Sequence, residues 1–129
     1  MLKEKAERLR KRLGKSAKKG FRGYPVGTIA FYGPDDKTAT KLVVSILPAE
    51  DAEPDPIRKW HAEQDVRKDA VILSEAMEFL QEQGVLTVAM ADRSIGCPHE
   101  EGIDYPEGEE CPLCPFWKGR DRWTGERVH

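Results

Sequence analysis

Cys97, His99, Cys111 and Cys114 carry the plainest chemistry in this sequence. They fall within eighteen consecutive residues that hold all three cysteines of the chain and one of its three histidines. Cys97-Pro98-His99 comes first, eleven residues intervene, and Cys111-Pro112-Leu113-Cys114 closes the run. Three thiolates and one imidazole are the donor set of a closed tetrahedral zinc site, with bonds of roughly 2.0–2.3 Å. The two-residue gap of C-P-L-C lets both sulfurs face one point, and Pro112 tightens that turn. A one-residue gap brings Cys97 and His99 together where the backbone turns, because the imidazole is longer than the thiol. Gly102, Pro106 and Gly108 suit a spacer that doubles back. Zinc is therefore the expected cofactor. Glu100, Glu101, Asp104 and His129 are the other donors that would take the fourth place instead of His99. An odd number of clustered cysteines suits a metal better than disulfides, and a reducing cytoplasm is the expected location.

The C-P-L-C turn resembles the knuckles of zinc-ribbon and treble-clef modules, over the C-terminal third only. The resemblance implies a structural zinc; the C-x-H first half departs from the C-x2-C or C-x2-H usual there. His99-Glu100-Glu101 followed by Cys111 and Cys114 also resembles in form the H-x-E … P-C-x-x-C signature of zinc nucleobase deaminases, which would make Glu101 the general acid/base. Three features oppose that reading. Glu110 stands where the signature has proline, and the spacer with its two glycines and one proline is too short for the intervening strand and helix. Cys97 moreover fills the position that a catalytic water requires. No catalytic residue is assigned.

Charge is distributed unevenly around this cluster. Residues 1–22 hold ten Lys or Arg against two Glu, a balance of +8. Residues 50–110 hold seventeen Asp or Glu against five basic residues, a balance of −12, while the whole chain is only −2. Arg8, Arg10, Lys11, Arg12, Lys15, Lys18 and Lys19 are candidate contacts to nucleic acid. Arg120, Arg122 and Trp123 join them, since aromatics interleaved with cations suit single-stranded nucleic acid. Phe116 and Trp117 are expected to pack over the knuckle. The function expected is a non-enzymatic zinc protein that contacts RNA, DNA or a nucleoprotein assembly through its basic termini. The alternative is a protein–protein adaptor that works through the acidic middle. No apolar run approaches the roughly 18 residues of a membrane helix, and the N-terminus lacks the apolar segment of a secretory signal.

The elements that must position the cluster form a small α+β fold. Leu2, Ala6, Leu9 and Leu13 share one helical face, in a basic arm over residues 1–20 that Gly14 and the following KSAKKG run end. Residues 21–92 read as a ββαβ body. Val26–Tyr32 and Thr38–Leu47 form a hairpin around the Gly33–Lys37 turn, where Asp35 and Asp36 are turn formers. Residues 48–56 form an acidic, proline-bearing loop, and a short helical turn carries Trp60 and His61. Val66, Ala70, Leu73, Met77 and Leu80 mark a helix to Gln83, with Gly84 as its left-handed cap. Val85–Ala91 reads as a buried strand inside the sheet. Residues 93–129 then make the zinc knuckle and its aromatic, basic tail.

Overall fold

VGTIAFY and KLVVSIL alternate buried and half-buried side chains, the period of a strand with one face on a core. In the computed structural model, which describes residues 2–35, 37–100, 102–109 and 111–117, they are β1 (Val26–Tyr32) and β2 (Lys41–Leu47). They pair antiparallel, from Val26 opposite Leu47 to Tyr32 opposite Lys41. Asp35 makes their turn as expected: its Oδ1 accepts from the backbone N–H of Lys37 and of Thr38, both at 2.8 Å. Asp36 lies outside the described residues. The second strand starts at Lys41, three residues later than Thr38, because those two bonds keep residues 37 and 38 in the turn.

A third strand, β3 (Ile57–His61), replaces the helical turn expected around Trp60 and pairs antiparallel with β2. Its sequence hides it, because Trp60 alone is buried on a strand with one neighbour. The indole packs edge-on against Phe79, and its Nε1 donates to Glu75 Oε2 at 3.1 Å. β4 (Thr87–Ser94) pairs parallel with β1, and the sheet order is β3-β2-β1-β4. The expectation that the last strand lies inside the sheet is therefore corrected: β4 is an edge. Alanine explains the error, since the apolar run includes Ala89 and Ala91, which are too small to demand cover. Ala89 is exposed.

β3 and β4 run the same way at opposite edges, so the chain must cross the sheet between them. It does so with α2 (Ala70–Glu82). Asp69 caps the start by accepting from Ile72 N–H at 3.0 Å. The end is a Schellman turn, with Val85 N–H on Leu80 O and Gly84 N–H on Gln81 O, and Gly84 at φ +64°. Ala70, Leu73, Ala76, Phe79 and Leu80 face Ile29, Phe31, Leu42, Val44 and Ile46 of the sheet in one core.

The same core contains α1 (Leu2–Lys18). The sequence reading has residues 1–20 as a basic helical arm. In the structure Ala6, Leu9 and Leu13 are buried, and α1 packs on α2 and β4. Burying a leucine is worth about 1.5–3 kcal/mol, enough for two of them to hold a helix that would be marginal alone. The same packing carries the helix through Gly14, where an interior glycine costs only about 1 kcal/mol. Gly14 is thus not the stop; the helix runs on to Lys18.

Candidate metal centre

The sheet delivers the chain to Cys97 in a fixed position. β4 follows β1 to Ile29 opposite Met90, then bulges so that Phe31 lies opposite Ser94. The ladder continues with Ile95 N–H on Phe31 O at 2.9 Å and Gly33 N–H on Gly96 O at 2.8 Å. Cys97 is the next residue.

The loop after it is built from its own groups. Glu100 N–H donates to Asp104 Oδ2 at 2.7 Å, and Asp104 N–H returns to Glu100 O at 2.7 Å. Two lysines of the sheet hold it down. Lys41, buried at 4% exposure, donates from Nζ to Pro98 O at 3.1 Å. Glu100 receives Lys59 at 2.6 Å and lies 3.6 Å from Lys41. The hydrogen bond from Lys59, with the nearby charges, holds the Glu100 carboxyl below its ordinary range. Glu100 and Asp104 are therefore committed to the loop and not to the cysteine cluster.

These constraints bring Cys97, His99, Cys111 and Cys114 together, with all four donor atoms within 4.8 Å of one another. His99 Nδ1 faces the sulfurs, 3.1 Å from Cys97, 3.4 Å from Cys111 and 3.5 Å from Cys114. Nδ1 is the ring nitrogen nearer the backbone, which is how a one-residue gap from Cys97 suffices. These separations approach the edges of a tetrahedron with bonds of roughly 2.0–2.3 Å, so the cluster could hold a metal ion. Glu101 and His129, the other alternative donors, lie outside the described residues.

Thiol chemistry agrees with that capacity. Burial pushes the Cys97 thiol well above its ordinary value, and the neighbouring thiols add to this. Burial raises Cys114 as well. At Cys111 burial works the same way, but hydrogen bonds from Cys97 and from the backbone N–H groups of Leu113 and Cys114 outweigh it and lower the thiol. A cation that takes all three as thiolates must displace their protons.

A second apolar cluster covers the site, made of Cys97, Cys114 and Trp117 with Cys111 and Phe116 at its edge. Phe116 and Trp117 meet edge-on at 5.0 Å, as the sequence reading expects for knuckle cover. Trp117 Nε1 donates to Gly33 O at 2.7 Å, a tie that the sequence does not announce. Lys41, Lys59 and Gly33 are the positioning residues that sequence reasoning missed, because each acts across strands rather than along the chain.

The candidate nucleic-acid residues divide. Arg8, Lys11, Arg12, Lys15, Lys18 and Lys19 are exposed, and Arg10 is half-buried. Arg8, Lys11, Arg12, Lys15 and Lys18 fall within a roughly 120° arc of α1, opposite the buried Ala6, Leu9 and Leu13, and Lys19 follows directly after the helix end. Arg120, Arg122 and Trp123 lie outside the described residues. Among the described residues, no helix is long and apolar enough to cross a membrane.

Comparison of the chain with protein-family models, curated proteins and solved structures finds no match.

Proposed function

We propose that the cluster is a structural zinc site, with Cys97, His99, Cys111 and Cys114 as its ligands in a knuckle of zinc-ribbon or treble-clef type. The observation that carries this is the convergence of three sulfurs on His99 Nδ1 at 3.1–3.5 Å. Zinc matches a thiolate-rich tetrahedral set, and four protein donors leave no position for a catalytic water. Three thiolates around a divalent ion carry one net negative charge. Lys41 and Lys59, sharing Glu100, carry one net positive charge beside it. The metal supplies order that five small or aromatic residues cannot: structural zinc contributes on the order of 10–16 kcal/mol of apparent binding free energy. Metal analysis of the purified chain tests the reading, with one zinc per chain expected. Cobalt substitution should give a tetrahedral spectrum indifferent to small anions, since an open position would respond to them.

The work of the zinc-held body, in this proposal, is contact with nucleic acid through the outer face of α1. Support comes from the stripe Arg8, Lys11, Arg12, Lys15 and Lys18, about 15 Å long, on a helix whose other face is locked in the core, with Lys19 directly after its end. Cations preordered on a rigid element lose less entropy on meeting phosphates than cations on a free arm. Fluorescence anisotropy with mixed-sequence oligonucleotides at low salt tests this. Absence of binding there, or binding without salt dependence, removes the reading.

A further inference from the structure

Beside the basic stripe, on the flank nearer α2, α1 leaves a groove of about 410 Å³. Its floor is apolar: Met77 and Leu80 of α2, with Val85 and Val88 from the chain that enters and forms β4. Its rim is cationic, carrying Arg12, Lys15 and Lys19. Among the described residues these three have no ion-pair partner, and no acidic residue lines the groove. The volume lies in the range of small-ligand sites, roughly 300–1,000 Å³.

We propose that this groove binds a small anionic amphiphile, a single apolar chain ending in a carboxylate or phosphate. The chain lies on Met77, Leu80, Val85 and Val88, and the head is held by Arg12, Lys15 and Lys19. Water is displaced from the apolar floor by a chain of matching polarity, and three cations without partners receive one anion. Other occupants match the groove less well. No aromatic ring lines it for a nucleobase to stack on. A bilayer surface needs an outward apolar helix face, whereas that of α1 is spent in the core. The proposal is independent of the nucleic-acid reading, although the two share Arg12, Lys15 and Lys19.

The test uses the metal-loaded full chain and decanoate kept below its micelle threshold, followed by amide NMR. Saturable shifts are expected, confined to the second half of α1, the end of α2 and the start of β4. Shortening the probe to octanoate should weaken binding by up to about fourfold per methylene. Decanol, with the same chain and no charge, should bind about tenfold or more weakly than decanoate. Gln81 is exposed on the rim, so Gln81→Glu adds an acid without disturbing the core. It should weaken decanoate severalfold and leave decanol unchanged. Equal binding of decanoate and decanol, indifference to chain length, shifts spread through the whole chain, or capture by anionic vesicles without monomer binding would each overturn the proposal.

Discussion

Trp117 Nε1 donates a buried 2.7 Å hydrogen bond to the carbonyl of Gly33, joining positions 84 residues apart. Gly33 is thereby used three ways. Its N–H donates to Gly96 O beside the metal loop, its carbonyl anchors the last described turn, and its missing side chain admits Thr38. A Cβ there would stand 1.6 Å from Thr38 O. The hairpin turn between β1 and β2 is the socket on which the metal-binding segment sits.

Trp117→Phe should therefore destabilise the C-terminal segment by about 1–3 kcal/mol, the loss of a buried hydrogen bond. Gly33→Ala should cost about 3 kcal/mol or more, because the obstructing atom is backbone and the turn itself must open. Chemical denaturation of the two variants checks the order; a Gly33→Ala variant as stable as the parent would contradict the close approach of Thr38 to this turn.

Metal removal should act locally. The core of α1, α2 and the sheet contains no member of the cluster, whereas the second cluster is small and built around the ligands. Chelation should abolish hydrogen-exchange protection in residues 97–117 and preserve it in α2, β1 and β2. Cys111→Ser should reproduce the chelated pattern without a chelator. Global unfolding on chelation would show that the two clusters form one cooperative unit.

Asp65 provides a pH signature. Its carboxylate accepts from the backbone N–H of Arg67 at 3.0 Å and from Arg67 Nη2 at 2.7 Å. Burial alone would raise this carboxyl, but the hydrogen bonds and charge of Arg67 outweigh it and leave the group below its ordinary value of 3.8. A group depressed in the folded state stabilises above its unfolded pKa and loses that contribution as pH falls through the folded value. Asp65→Asn should thus lower stability at neutral pH, by about 1 kcal/mol for a pair still partly open to solvent. The gap between variant and parent should close below roughly pH 4. A gap that does not narrow at all as pH falls from neutral to well below 3.8 would mean that the ion pair is not its source.

The basic face of α1 predicts a salt signature. If about four to six phosphates are neutralised, log affinity should fall against log salt with a slope of about −3 to −5. Changing Lys11, Lys15 and Lys18 together to Ser removes three cations from the stripe and should flatten the slope by about 2–3. The fold should survive, because none of the three is in the core. A slope that does not change would place any nucleic-acid contact elsewhere on the chain.

Short-range chemistry was legible in the chain itself. The C-P-L-C turn, the Asp35 turn, the Gly84 cap and the apolar face of α2 each depend on residues within a few positions of each other. Their spacing alone specifies their geometry. Tertiary structure decided the rest. Leu9 and Leu13 mark an amphipathic helix, but only the core says whether its apolar face finds a partner, and here it does. Trp60 sits on a strand recognisable only by its pairing with β2. Val88 and Met90 look like a central strand, and the small Ala89 beside them lets that strand be an edge. Above all, the cysteines and His99 name a metal-binding capacity without saying where it sits. Its place is set by Gly33 of the hairpin turn and by Lys41 and Lys59 of β2 and β3, whose bonds to the knuckle cross from distant segments. Register between distant segments is a property of the whole core, and no local spacing encodes it.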